Sequence, residues 1–197
     1  MTMPLTVLPL TPARWGDLET IFLARGCSVA RGCWCMFYRH AGGGSEAPLG
    51  ADAAQRSRAE LQALAAQDPP PGLIGYEGDT PVGWISLGPR ADFARLARSR
   101  VMKAVDEQPV WSIVCFVVPS VHRRRGVARA LLAGAVAWAR ERGVTLLEAY
   151  PVDRAEPTAG DASWFGSKAM FDEAGCEEVA RRKPARPVVR LHLADAP

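Results

Sequence analysis

The strongest constraint on the fold is a nearly continuous apolar run at residues 110–118, in which Ser112 is the only polar side chain. The run is rich in β-branched residues and does not alternate between polar and apolar positions. A strand with one solvent-exposed face alternates, whereas a strand covered on both faces does not. The run therefore predicts a central strand with other structure packed on both sides.

A strand–helix–strand unit is built on this run. Residues 126–142 carry apolar side chains at helical spacing, among them Leu131, Ala135 and Trp138, and Gly143 supplies a stop. Residues 144–150 predict the next strand. Because a crossover between parallel strands is right-handed and places its helix on a face of the sheet, the unit predicts a mixed α/β sheet.

The remaining elements are predicted from shorter signals. Thr11-Pro12 opens a first helix and Asp52 opens a second, while a turn at Gly78-Asp79 joins two short strands into a hairpin. A further helix and two strands follow the central unit. In residue numbers, the hairpin strands are 73–76 and 82–87, the last helix is 161–174, and the closing strands are 177–182 and 188–193.

Length, charge and hydropathy limit the class of protein. The 197 residues and the net charge of +3 suit one globular domain over residues 1–197 and do not by themselves require a polyanionic partner. No apolar run approaches the ~20 residues of a membrane span, and residues 1–10 lack the basic start of a signal peptide. The five cysteines form no paired framework, so we expect reduced thiols and a cytoplasmic protein.

A basic loop follows the central strand. It reads His122-Arg123-Arg124-Arg125-Gly126 and leads directly into the helix. Free N–H groups and the positive end of the helix dipole make a helix N-terminus a good phosphate site, and glycine lets oxygens approach the amides. An arginine run is also typical of a solvated surface, or of a nucleic-acid site when aromatic residues are interleaved, which they are not here. The P-loop lysine and the GxGxxG pattern are absent, and the position between strand and helix favours a phosphate cradle.

These residues resemble a known signature. Arg123-x-x-Gly126-x-Ala128 after a buried strand is similar to the acetyl-CoA motif of the GNAT-type N-acetyltransferases, which reads Gln or Arg, two residues, Gly, any residue, then Gly or Ala. Residues 170–176 resemble the end of that family's final helix, and the order of elements agrees over residues 5–193. The resemblance implies an α/β fold with a mixed, mostly antiparallel sheet, a central splayed pair of parallel strands, and flanking helices.

The resemblance also implies how acetyl-CoA, the co-substrate of that family, would bind. Its pantetheine arm would pair with the backbone of the central strand, and its pyrophosphate would lie on the amides of residues 124–129. The implied binding residues are Phe116, Val117, Val118, Arg123, Arg124, Arg125, Gly126, Val127, Ala128 and Arg129. The acceptor would be a small-molecule or peptide amine.

The catalytic groups common in that family are missing here. Ser112 stands in place of a glutamate base, and Phe171 in place of a tyrosine acid. The amine must lose a proton and the departing thiolate commonly gains one, so other groups are needed. Tyr150 is the predicted acid and Glu148 a water-relayed base, because both project from one face of the strand at residues 144–150. A structural salt bridge is the other interpretation of Glu148.

A segment rich in cysteine and aromatic residues lies between the first two helices. It contains Cys27, Cys33, Trp34, Cys35, Phe37, Tyr38 and His40. The cysteine spacing differs from that of structural zinc sites and of redox C-x-x-C pairs, so no metal site is predicted. A buried aromatic plug is the plain interpretation. In the resembled family this region walls the acceptor site, which implies that Trp34, Phe37 and Tyr38 would hold an apolar or cationic amine.

The predicted function is transfer of an acetyl group from acetyl-CoA to a primary amine, in the cytoplasm, by a monomer or homodimer. A CoA-binding sensor or interaction module that has lost turnover is the alternative, since the usual glutamate and tyrosine are absent. A nucleic-acid binder that uses residues 122–125 is a third hypothesis and the least favoured. Neither nucleic acid nor a membrane is an expected partner.

Overall fold

The structure, a computed structural model, describes residues 5–41, 51–154 and 163–193. Within these ranges one sheet holds the strands β1 (Thr6–Pro9), β2 (Gly72–Glu77), β3 (Thr80–Pro89), β4 (Trp111–Val117), β5 (Leu146–Ala149), β6 (Glu177–Lys183) and β7 (Arg186–His192). The helices are α1 (Trp15–Leu23), α2 (Ser28–Cys33), α3 (Ala51–Leu64), α4 (Ala94–Arg98), α5 (Val127–Glu141) and α6 (Lys168–Glu173). The strand order is β1-β2-β3-β4-β5-β7-β6.

The sheet is antiparallel except at β4 and β5, which run parallel. The parallel ladder is short: Trp111 pairs with Leu147, Ser112 with Glu148, and Ile113 with Ala149. β5 then ends while β4 continues to Val117, so the two strands separate beyond Ile113. The α/β fold with a mostly antiparallel sheet and a splayed parallel pair is confirmed.

A bulge in β4 lies where the two strands separate. Ser86 pairs with Cys115 and Leu87 with Ile113, which leaves Val114 as an extra residue on β4. A bulge of this kind bends its strand and disturbs the alternation of side chains. Val114 and Cys115 accordingly pack into the same core cluster, and the bulge directly follows Ile113, the last residue of β4 that pairs with β5.

Helices cover both faces of the sheet, as the unbroken apolar run predicts. On one face, Leu131 of α5 packs in a cluster with Ile113 and Phe116 of β4. On the other face, Phe22 of α1 packs in a second cluster with Trp84 of β3. Burial on both faces makes β4 the central strand. Where β5 has ended, the part of β4 that faces the gap between the two strands is its backbone edge.

The differences from the predicted elements concern short segments. β1, α2 and α4 have 4, 6 and 5 residues, which is too short for a period to be recognised in the sequence. The last helix, predicted at residues 161–174, is α6 over Lys168–Glu173, where the Ser167 side chain accepts a hydrogen bond from the backbone N–H of Met170. Residues 161 and 162 lie outside the described residues. Across the described ranges, no helix is long and apolar enough to cross a membrane.

Candidate active site

The first feature of the site is the opening between β4 and β5. After the last paired residues, Ile113 and Ala149, the β5 side of β4 has no strand partner within the described ranges. The predicted backbone residues Phe116 and Val117 lie on this stretch, and Val118 follows directly. Such an edge offers N–H and C=O groups to an extended ligand in the way that a further strand would pair.

The second feature is the loop that joins β4 to α5. Arg124 and Gly126 both have left-handed backbone conformations, with φ of 60° and 81°. The described part of the chain supplies no hydrogen-bond acceptor to the amides of residues 124–129. A Cβ built on Gly126 would meet no atom within 4 Å, so the space above this amide is open. A cluster of unpaired N–H groups at the start of a 15-residue helix fits a pyrophosphate group.

The arginines of this loop have different roles. Arg123 donates to the carbonyls of Val118 at 2.9 Å and of Gly26 at 2.6 Å, which ties the loop to the turn after α1. Arg125 pairs with Glu77 at 2.8 Å, and Arg129 with Glu173 at 2.6 Å. Arg124 is exposed and forms no side-chain hydrogen bond or ion pair with the described residues. Its guanidinium is therefore the one in this loop with donors to spare for a phosphate.

A buried polar network lies where the parallel ladder ends. Tyr150, the residue after β5, is 1% exposed, and its hydroxyl donates to Glu148 Oε1 at 2.7 Å. Ser112 Oγ lies 2.8 Å from the same hydroxyl. Tyr150, Glu148 and Ser112 thus lie on one face of the sheet, as the alternation of side chains predicts.

Two arginines hold Glu148. Arg90 Nη1 donates to Glu148 Oε1 at 2.8 Å and also to the hydroxyl of Tyr150, while Arg190 Nε donates to Glu148 Oε2 at 2.9 Å. Arg190 in turn forms a forked pair with Asp106, at 2.6 and 2.9 Å, and this contact lowers the pKa of Asp106 to about 2. The carboxylate of Glu148 is fully buried with both oxygens engaged, which is the geometry of the structural salt bridge. Its role as a water-relayed base stays a prediction.

The environment of Tyr150 keeps its proton in place. Burial, followed by the nearby charge of Glu148, raises the pKa of Tyr150 well above its usual value, and Arg90 and Ser112 oppose this shift. The hydroxyl is therefore protonated at neutral pH, as an acid must be before it acts. The raised pKa also makes Tyr150 a weaker acid than an exposed tyrosine.

The three aromatic residues predicted for the acceptor site divide into two environments. Trp34 is 3% exposed and stacks between Trp15 and Phe22, with ring centroids 5.8 and 5.1 Å away, so it is a core residue. Phe37 and Tyr38 are only half-buried and pack edge-to-face against each other. The geometry therefore supports the aromatic plug for Trp34, and the acceptor role of all three residues stays a prediction.

Burial favours the thiol form of the cysteines in this segment. Burial raises the pKa of Cys33 to about 12, and a hydrogen bond with Cys115 together with burial raises the pKa of Cys35 well above its usual value. Thiolates, not thiols, bind metal ions. Within the described ranges, no group of three or more His, Cys, Asp or Glu side chains is placed to hold a metal ion.

Sequence reasoning did not identify Arg90, Arg190 or Asp106 as members of the site. They lie 58, 42 and 84 positions from the residues that they contact in this network. Each is an ordinary charged residue in its local sequence. A long-range ion pair of this kind leaves no signal in spacing or periodicity, although a buried carboxylate such as Glu148 does require a cationic partner.

Comparison with known proteins agrees with this geometry. A sequence model of the acetyltransferase (GNAT) family matches residues 38–159. No curated protein sequence matches the chain.

Three similar solved structures illustrate the shared fold. An acetyltransferase from Thermus thermophilus has a TM-score of 0.52 and 18% identity, with 98% of this chain and 99% of that one covered. The polyamine N-acetyltransferase of Drosophila melanogaster has a TM-score of 0.56 and 13% identity, with 96% and 100% covered. The ribosomal-protein-alanine N-acetyltransferase of Brucella melitensis has a TM-score of 0.55 and 21% identity, with 95% and 99% covered.

The family match spans more than half of the chain, and it includes the opening in the sheet, the amide-lined loop and the buried polar network apart from Arg190. The chain therefore belongs to the GNAT acetyltransferase family, whose members are acyltransferases.

Proposed function

We propose that the protein transfers an acetyl group from acetyl-CoA to a primary amine of a small molecule or peptide, by direct attack of the amine on the thioester. The observation that carries the proposal is the continuity of the opening beyond Ile113 and Ala149 with the unpaired amides of residues 124–129. Together they offer a backbone edge and an anion site in the order in which acetyl-CoA presents pantetheine and pyrophosphate. The GNAT family generally uses acetyl-CoA as co-substrate.

The geometry supports the binding residues that the resemblance implies. The backbones of Phe116, Val117 and Val118 would hold the pantetheine arm, and the amides at the start of α5 would hold the pyrophosphate. Arg124 would add charge, whereas Arg123 shapes the loop through its contacts with two backbone carbonyls. Bound acetyl-CoA supplies the acyl group as an activated thioester.

The chemistry assigns distinct tasks to the protein. A backbone N–H on the open edge of β4 would polarise the thioester carbonyl. Tyr150 is the proposed proton donor, with Arg90 and Ser112 as the contacts that stabilise its oxygen when the proton leaves. Glu148 is the proposed relay toward the amine, although its two ion pairs support an anchoring role equally well.

A cytoplasmic location is part of the proposal, and the cysteines of the described ranges, which are all free thiols, support it.

A CoA-binding module without turnover is the second candidate. Two observations favour it: Glu148 is held in ion pairs, and the pKa of Tyr150 is raised. Neither residue is therefore a freely reactive substitute for the base and the acid that are common in this chemistry. The two candidates share the acetyl-CoA site and differ only in the transfer step.

One experiment separates the candidates. Acetyl-CoA binding is measured by calorimetry, and thiol release is followed with a panel of amines, aminoglycosides and peptides. Binding together with sustained thiol release in the presence of an amine supports the transferase. Binding without release across the panel favours the module, and the absence of binding contradicts both.

A further inference from the structure

Another arginine at the opening, Arg186, has no counter-ion among the described residues. Arg186, the first residue of β7, donates to the carbonyl of Tyr150 at 3.3 Å and faces the sulfur of Met102 at 3.7 Å. Its Nε is buried without a hydrogen-bond partner in the described part of the chain. No described carboxylate lies within ion-pair distance of it, whereas Arg190 on the same strand has two carboxylate partners, Glu148 and Asp106.

Within the described part of the chain, the charge of Arg186 is therefore not balanced by an ion pair. Burial lowers the pKa of Arg186, as does the positive charge of Arg154, and only Tyr38 acts in the opposite direction. A partly buried guanidinium without a carboxylate loses hydration that no ion pair replaces. An anion that enters from solvent would supply the missing partner.

Arg186 and Tyr38 both pack against the ring of Phe165. The guanidinium of Arg186 lies over the ring of Phe165 at 4.1 Å, and Tyr38 packs on the same ring at 5.7 Å. Burial raises the pKa of Tyr38 to about 12, while Arg186 and a hydrogen bond with Trp164 lower it. The guanidinium of Arg186 and the protonated phenol of Tyr38 therefore both lie beside the ring of Phe165, and the indole of Trp164 contacts the phenol.

This region spans the opening in the sheet. Arg186 contacts Tyr150, which follows the last paired residue of β5. Phe165 belongs to a short 3-10 turn, Ser163–Phe165, that packs against β4. Tyr38 and Phe165 pack with the core cluster of the α1 face, opposite α5. The donors thus lie on the side from which an amine would approach a thioester held in the opening.

We infer that the acceptor is an amine that also carries an anionic group, a carboxylate or a phosphate, and that Arg186 binds this group with help from the hydroxyl of Tyr38. The inference rests on the proposed function and names the substrate class for it. A planar guanidinium matches both anions through two parallel hydrogen bonds.

Two further observations agree with an anionic acceptor. The aromatic faces nearby are already covered by arginines of the chain, Arg95 over Phe37 at 4.0 Å and Arg186 over Phe165. A polycation would meet these positive charges rather than open rings, which revises the expectation of a cationic amine. Positive charge near the site also lowers the pKa of a bound ammonium group and so favours the neutral nucleophile.

The test uses pairs of probes that differ only in the anionic group: amino acids beside their carboxamides, and O-phosphoethanolamine beside ethanolamine. For at least one pair, we expect kcat/KM for the anionic member to exceed that for its neutral partner at least tenfold. The carboxamide has the less basic amine, so amine reactivity alone would give the opposite order. A preference in only one type of pair identifies the anion as carboxylate or as phosphate.

Arg186→Gln should remove the preference, and Arg140→Gln, a change at an exposed arginine on α5, should retain it. Arg186→Lys keeps the charge but not the forked geometry of the guanidinium, so it should weaken the preference. It serves as the test if the glutamine variant does not fold. A wild-type protein that acetylates both members of every pair equally overturns the inference while the proposed function stands.

If no probe is acetylated, the proposed function is contradicted for these amines and the inference is decided by binding. Ligand-observed NMR titrations of the same pairs should then show at least tenfold tighter binding of the anionic member to the wild type, lost in Arg186→Gln. Equal binding of both members overturns the inference.

Discussion

Replacement of Gly126 by glutamate should weaken acetyl-CoA binding at least tenfold. The φ of 81° at this position costs a side-chain-bearing residue about 1–2 kcal/mol of folding stability. A Cβ at this position meets no protein atom within 4 Å, so we expect the loss of binding to come from the ligand side. A carboxylate ~8 Å from one phosphate charge, at an effective dielectric constant of about 20, repels it by about 2 kcal/mol. This energy corresponds to roughly a thirtyfold loss of affinity.

Calorimetric titration with acetyl-CoA measures the affinity, and differential scanning calorimetry checks that the variant is folded. Gly126→Asn is the matched control, because asparagine tolerates the left-handed conformation and adds bulk without charge. We expect a smaller loss of affinity for asparagine than for glutamate. A folded Gly126→Glu protein with unchanged affinity would refute the phosphate cradle at the start of α5.

The remaining predictions concern the polar network and the cysteines. Tyr150→Phe should lower kcat by roughly 10²–10⁴-fold with little change in the KM for acetyl-CoA, and a fully active variant removes Tyr150 from the mechanism. Glu148→Gln should lower the free energy of unfolding by about 3–5 kcal/mol, since it removes the ion-pair partner of Arg90 and one of the two partners of Arg190, and it should shift the pH–rate profile only if Glu148 relays a proton. Because the pKa of Asp106 is lower in the folded protein than its ordinary value, its carboxylate stabilises the fold above that value, and this contribution is lost as the pH falls toward about 2. Urea unfolding across acidic pH should therefore show a shallower loss of stability for Asp106→Asn, and an unchanged slope contradicts the pairing with Arg190. Elemental analysis should find no stoichiometric zinc at Cys33 and Cys35, and one zinc ion per chain contradicts the assignment of these residues as buried thiols.

The central strand and its loop were predictable because their signals are local. A strand buried on both faces appears as an unbroken apolar run, and the run at residues 110–118 became β4 over Trp111–Val117. The hairpin at Gly78 and the helix α5 follow from a turn signal and a helical period in the same way. The bulge at Val114 was not predicted, because the register between two strands depends on both of them.

The polar network was only half predictable. Alternation along one strand placed Glu148 and Tyr150 together, and the structure has them 2.7 Å apart. The arginines that engage Glu148 come from distant parts of the chain, so their choice is decided by tertiary packing. Trp34 shows the same limit in another form. Its neighbours in sequence indicate an aromatic segment. Only the packed structure shows that the ring of Trp34 is enclosed in the core, whereas Phe37 and Tyr38 are half-buried.

Hydrogen exchange with and without acetyl-CoA tests the central claim most directly. If acetyl-CoA lies along the open edge of β4 and on the start of α5, the amides of residues 124–129, which lack acceptors in the described part of the chain, should become protected when it is added. Amides of β4 beyond Ile113 should gain protection as well, while the surface helix α3 should remain unchanged. Binding of acetyl-CoA with no added protection in either segment would contradict the account.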